Sequence, residues 1–296
     1  DNTAHPRLRY LPEEARPQPG DRIVTSGHGG VFPPGLPVGR VVEAGEKAID
    51  SLDIQPDVLI VEGSIPMDIP QAATLGVDES GERIPVLDWV LRLGEKADHV
   101  IAVGTCASYG GLPAAGKFDK ESVGKGPTGA KGLQFDGQDI GGVFGPDFET
   151  KSGSPVVNIP GCPVHPDHVI LTLATVLNGH DLVLDEYNRP MPIFEPLIHD
   201  ECHLHDDYEC GEFASQPGEE GCLYDAGCAG VYAHCDDTKR LRNETSICRS
   251  VGAPCIGCVE PAFWDRFTPF YSSGQTRGPP GIPTPIERAG GMSPNP

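Results

Sequence analysis

Eight of the ten cysteines in this chain (Cys202, Cys210, Cys222, Cys228, Cys235, Cys248, Cys255 and Cys258) fall within residues 202–258. Around them apolar periodicity fades, histidines accumulate, and no long helix or strand pattern is visible. Such a segment gathers little apolar core, so something other than packing has to organise it. Thiols offer two ways of doing so, cross-linking and metal binding. A disulfide framework suits a short secreted domain, whereas 296 residues are enough to bury a core of their own. Metal is the expectation.

The first part of the chain reads differently. "DVLIVEGSIP" (57–66), "DHVIAVGTCASYGG" (98–111) and "PVVNIPGCPVHPDHV" (155–169) are short apolar runs, each closed by Gly and small residues. Runs of this kind are parallel strands buried on both faces. Between the first two lies "IPVLDWVLRLGEKAD" (84–98), where Pro85 suits a first helical turn and Val86, Leu87, Val90, Leu91 and Leu93 supply an apolar face. "PDHVILTLATVLNG" (166–179) starts on Pro and stops at Asn-Gly, a second helix. Strand, loop and helix in alternation predict a doubly wound α/β sheet, with ligands beyond the C-terminal ends of the strands. Cys106 and Cys162 each follow a strand closely, which places both at that edge as half of a four-ligand site.

A formal charge of −21 excludes nucleic acid as a partner, because phosphate binding needs clustered Lys and Arg. It suits docking against a basic protein. The chain holds 38 Gly and 31 Pro, about twice the usual share, so its loops are extensive. No apolar run approaches the ~20 residues that span a bilayer, so no transmembrane anchor is expected in this chain.

Within the Cys-rich segment, His199 and Cys202 are spaced H-x2-C in "HDECHLHDDYECGEF" (199–213). Cys222 and Cys228 follow in "GCLYDAGC", then Cys235, Cys248, and the pair Cys255 and Cys258 in "PCIGC". One His with three Cys, or four Cys, serves zinc as well as iron–sulfur clusters, and spacing leaves both open.

From about residue 44 to 273 the chain resembles the small, electron-transfer subunit of nickel–iron hydrogenases. The likeness is carried by "VEGSIP", "GTCASYGG", "PGCPVHPDH", "IHDEC", "GEF", "GCLYDAGC", "PCIGCVEPAFWD" and "PFYS", in that order. It implies a flavodoxin-like α/β domain over 44–195, an irregular iron–sulfur cluster-binding domain over 196–273, and a Pro/Gly-rich tail over 274–296. It also implies three clusters in line. Cys106 and Cys162 match two ligands of a proximal cluster. Cys235, Cys255 and Cys258 match a medial cluster, and His199, Cys202, Cys222 and Cys228 a distal 4Fe–4S cluster. Cys210 matches no ligand and is expected to be a spare buried thiol. The partner implied is a hydrogenase large subunit, which holds the nickel–iron centre. An acceptor such as a cytochrome or a ferredoxin-like protein lies beyond. The compartment is left open, cytoplasmic or periplasmic, or membrane-associated through partners.

Two departures from the family matter. Many members have proline at the position of Cys248 and hold a 3Fe–4S medial cluster. A fourth thiolate there predicts 4Fe–4S, and its negative charge should lower the potential. Secondly, the family begins with a strand running into a C-x-G-C loop, while no cysteine precedes Cys106 here. Residues 1–43 are an atypical segment, of which 7–42 resemble part of the β-domain of a bacterial rod-shape-determining protein, chiefly in "GDRIVTSGHGGVFPPGLPVGRV". Either a foreign segment replaces the family's first strand, or "RIVTSGHGG" acts as a surrogate strand that brings His28 near the proximal position. A non-catalytic zinc-binding or structural protein, a relic of such a fusion, is the rival reading.

Overall fold

Two of the three apolar runs, 99–103 and 157–159, form strands buried on both faces. The run at 58–62 is instead an edge strand that buries Leu59 and Val61 and leaves Ile60 and Glu62 exposed. Contrary to the expectation from the sequence, no further strand or helix among the described residues covers that side. The computed structural model describes residues 22–24, 37–40, 56–78, 80–114, 126–242 and 244–263. Its first elements, β1 (Arg22–Val24) and β2 (Pro37–Arg40), pair antiparallel as a hairpin of their own. β1 therefore does not extend the main sheet as a surrogate strand, and His28 lies outside the described residues.

The main sheet contains β3 (Val58–Glu62), β4 (His99–Val103) and β5 (Val157–Ile159), all parallel, in the order β5-β4-β3. Glu62 lies opposite Val103, and Val103 opposite Ile159, so the three strands end level with one another. One face carries Leu59, Val61, Val100 and Ala102 against helix α1 (Val86–Gly94), whose Trp89, Val90 and Leu93 are buried. The other carries Ile101, Val103, Val157 and Ile159 against Val169 and Leu173 of a later helix and against Ile193, Phe194 and Ile198. Helices thus cover both faces, as the alternating pattern requires. Trp89, which the apolar stripe read from the sequence omits, is a core residue, and its indole N–H donates to the Leu75 carbonyl at 2.8 Å.

Beyond β4 the chain enters a short helix, α2 (Gly104–Tyr109), rather than the loop expected around Cys106. After β5 it passes Cys162 and starts α3 (Pro166–Leu177). His165 caps α3 by accepting the Asp167 N–H on Nδ1 at 3.1 Å, and Pro166 occupies a first-turn position that needs no N–H. Asn178 and Gly179 end it, Gly179 at φ +71°.

From residue 196 onward regular structure is limited to α4 (His205–Cys210) and single 3₁₀ turns among the described residues. This segment packs on the α3 side of the sheet, where Cys235, Cys255 and Val259 join the same apolar cluster as Ile101 and Ile159. A buried ion pair fastens it. Arg189 donates through Nε to Asp185 at 2.7 Å and through Nη1 to Glu260 at 3.2 Å, and Glu260 also accepts the His234 backbone N–H at 2.8 Å. Arg189→Met leaves the Glu260 carboxylate buried without its cation. The expected loss is about 3–5 kcal/mol of stability, measured as a shifted denaturation midpoint in circular dichroism.

Candidate metal centre

Level strand ends place the two N-terminal thiols side by side. Cys106 sits in the first turn of α2, Cys162 follows Gly161, and both are half-buried. Each is preceded by a backbone turn that suits glycine: Gly104 has φ +85°, and a Cβ on Gly161 would come within 2.7 Å of the Val164 Cα. Burial, against backbone hydrogen bonding and with the Cys162 sulfur adding to it, pushes the Cys106 thiol up.

Thr105 locks this pair to the Cys-rich segment. Its backbone N–H donates to the Gly161 carbonyl at 3.1 Å, and its hydroxyl accepts the Gly161 N–H at 2.9 Å. The same hydroxyl donates to the carbonyl of Cys258. Cys162 and Cys258 also pack against one apolar cluster, with Ala229, Ala262 and Phe263. One buried side chain therefore binds the loops of Cys106, Cys162 and Cys258 together.

Cys258 marks the start of a second group of sulfurs. Its thiol is pushed up to about 11, first by burial, with the Cys248 sulfur acting in the same direction. Burial also pushes Cys235 and Cys255 well up, and each of them feels the Cys258 sulfur. Cys248 itself is exposed. Arg242 spans this group, with Nε and Nη2 on Asp237 Oδ2 at 3.2 Å and Nη1 on the Pro163 carbonyl at 2.9 Å.

Cys255 leads to the third group. Its N–H donates to the Cys228 sulfur at 3.4 Å, and its carbonyl accepts the Ala229 N–H at 2.7 Å. Cys228 lines a small, partly open pocket with His199, Cys202, Cys222 and Arg249. All four side chains singled out as one ligand set from the sequence thus face one space. The His199 N–H is held by the Gly230 carbonyl at 3.0 Å, and its ring lies against Tyr208 and His205, with centroids 4.4 and 4.8 Å away. Burial, then the neighbouring His205, lower the His199 pKa, which favours the neutral imidazole that a metal needs.

Thiols this deeply buried do not ionise unaided, yet only the thiolate binds a metal, so the charge that holds them ionised must come from a bound cation. The arrangement suits sulfur-ligated metal at the cavity and at the Cys258 group. At the strand ends the described residues bring two thiols together, Cys106 and Cys162. All ten cysteines are free, and Cys210, expected to be buried, is exposed at the end of α4, whose short helix keeps its outer face in solvent.

Sequence reading missed the polar groups around the sulfurs. His168, Cys235 and Asp237 present ligand-type atoms within 4.8 Å of one another, all buried. His168 Nε2 and Asp236 Oδ1 are 2.6 Å apart and Asp237 is held by Arg242, so these groups brace Cys235 against α3. The two aspartates directly after Cys235 in "HCDD" were the available signal.

Thr105→Val keeps the shape of Thr105 but strands the Gly161 N–H and the Cys258 carbonyl. A loss of ~1–3 kcal/mol for each stranded group is expected in thermal denaturation, and Thr105→Ser should retain most of the stability.

Three family models match the chain. They are "NiFe/NiFeSe hydrogenase small subunit", C-terminal part, over residues 194–271, "NADH ubiquinone oxidoreductase, 20 Kd subunit" over 36–176, and "Rod shape-determining protein MreC, barrel core" over 1–60. The F420 non-reducing hydrogenase II small subunit of Methanosarcina mazei is 37% identical over 237 residues, covering 75% of this chain and 57% of its own. The periplasmic NiFe hydrogenase small subunit 1 of Nitratidesulfovibrio vulgaris is 36% identical over 239 residues, 78% of this chain and 68% of its own. Among solved structures, an actinobacterial-type NiFe-hydrogenase from Ralstonia eutropha superposes with a TM-score of 0.66 at 35% identity, over 75% of this chain and 63% of that one. A NiFeSe-hydrogenase from Desulfomicrobium baculatum gives 0.62 at 34% identity, over 73% and 75%. The chain spans little more than half the length of the first of these relatives.

Proposed function

The chain belongs to the family of NiFe/NiFeSe hydrogenase small subunits, and we propose that it relays electrons between a large subunit bearing a nickel–iron centre and an external acceptor. The observation that carries this reading is the succession of cysteine loops that hydrogen bonds tie together, Thr105 joining the turn before Cys162 to Cys258 and the Cys255 N–H reaching the Cys228 sulfur. In this reading a flavodoxin-like domain (44–195) presents the inner thiols and a cluster-binding domain (196–273) holds the rest. His199, Cys202, Cys222 and Cys228 hold the distal cluster, and Cys235, Cys248, Cys255 and Cys258 the medial one. Iron–sulfur clusters bound there supply one-electron storage and transfer.

The chain's own residues supply the positioning. Backbone N–H groups of Cys255 and Gly230 point at the Cys228 sulfur, and that of Gly257 at the Cys255 sulfur, each at 3.4 Å. Such donors stabilise thiolate and tune a cluster's potential. Burial of Cys235 and Cys255 keeps water from the medial ligands. Cys248 reaches the same group from the exposed side and completes four thiolates. Among the described residues no helix is long and apolar enough to cross a membrane.

The proximal position sets this chain apart, because Cys106 and Cys162 have no cysteine before them in the sequence. Iron, acid-labile sulfide and zinc per chain, on protein purified without air, test the reading. Two cubanes give about 8 iron, and a third cluster completed by further ligands gives about 12. Zinc in place of iron overturns the relay in favour of a structural metal protein. Cys248→Pro should lower the count by about one iron and bring up a 3Fe-type signal in the EPR spectrum of the oxidised protein.

A further inference from the structure

Arg249 opens a 3₁₀ turn (Arg249–Val251) immediately after Cys248, and its side chain is buried, with 4% of the residue exposed. Its Nε and Nη2 are buried with no hydrogen-bond partner. The other buried or half-buried arginines of this region each grip a carboxylate: Arg189 holds Asp185 and Glu260, Arg240 holds Asp236, and Arg242 holds Asp237. Arg249 instead faces the cavity lined by His199, Cys202, Cys222 and Cys228. The groups that favour its charge are, in order, Cys255, Cys202, Cys228 and last Asp237, whose Oδ2 is already taken by Arg242.

A guanidinium keeps its proton under all ordinary conditions, and a buried charge without a counter-ion is costly. Sulfurs from two separate ligand sets are the groups placed to answer it. Four thiolates at the medial cluster, or three with a neutral imidazole at the distal one, leave net negative charge there, and net charge with hydrogen bonds to sulfur sets the reduction potential. We propose that Arg249 is the shared counter-charge of the medial and distal clusters, raising both reduction potentials by its unpaired positive charge. It acts on the medial site through Cys255 and on the distal site through Cys202 and Cys228. There it opposes the lowering that the extra thiolate of Cys248 brings. This rests on the two-cluster reading given above.

The test is an EPR-monitored redox titration of the protein purified without air, wild type beside Arg249→Gln and Arg249→Lys, with iron counted in each. Removing the charge in Arg249→Gln should move both midpoint potentials downward at unchanged iron, while Arg249→Lys stays nearer the wild type. Loss of iron in Arg249→Gln but not in Arg249→Lys also supports the proposal, because charge alone separates the two. Potentials unchanged in Arg249→Gln, or equal loss of iron in both variants, would overturn it. A wild type without iron–sulfur signals sinks the cluster reading itself, and the titration shows this before either variant is compared.

Discussion

The Thr105 hydroxyl is the point on which the arrangement of the sulfurs depends. It accepts from Gly161 and donates to Cys258, while the backbone of the same residue binds Gly161 from the other side. A threonine hydroxyl has one donor and two acceptor positions, and here both functions are used on backbone groups of two different cysteine loops. The sheet beneath makes this possible. Because β3, β4 and β5 end level, the turns after β4 and β5 lie within one hydrogen bond of each other. Without that registry Cys106 and Cys162 would be unrelated thiols on separate loops.

Past this junction the balance shifts from packing to electrostatics. Cys235 and Cys255 belong to the apolar cluster under α3, so their segment is anchored as an ordinary core would be. Farther out, the described chain is held by ion pairs and turns, and by a small cluster of Ala214, Leu223 and Ala226 beside the rings of Tyr208, Phe213 and Tyr224. The cavity around His199 and Cys228 is formed by residues from three separate stretches, with no sheet or long helix crossing it. The thiols of Cys222, Cys228, Cys235, Cys255 and Cys258, all pushed up first by burial, express the same fact: these sulfurs sit where a bare negative charge is unwelcome.

Much of the fold was legible because the physics behind it is local. Apolar runs closed by glycine gave the three parallel strands, and Pro166 with Asn178-Gly179 marked both ends of α3. The grouping of His199, Cys202, Cys222 and Cys228 comes from the resemblance to hydrogenase small subunits, since spacing leaves zinc and iron–sulfur both open. These four side chains line one pocket. What escaped detection depends on contacts between distant residues. Trp89 looks like an interruption of the α1 stripe until its indole finds Leu75. Cys106 lies in a helix because Gly104 takes a left-handed conformation that no propensity reports. Cys210 is exposed although nothing in its residue type distinguishes it from its buried neighbours. Asp236, Asp237 and Arg249 matter through their partners across the fold, which spacing does not reveal.

The knot at Thr105 has a consequence for how the protein is put together. Gathering ligands from distant parts of a chain costs loop-closure entropy, and whichever interaction closes the loop bears that cost. For Cys106 and Cys162 the sheet has already borne it. Apolar burial and the Thr105–Gly161 bonds bring them together without help from iron. For His199, Cys202, Cys222 and Cys228 the sheet supplies no such closure; a small apolar cluster of Ala214, Leu223 and Ala226 and the rings of Tyr208, Phe213 and Tyr224 hold their loops instead. The two ends of the sulfur series therefore differ in what bears that cost, the parallel sheet at one and a local cluster of small and aromatic side chains at the other.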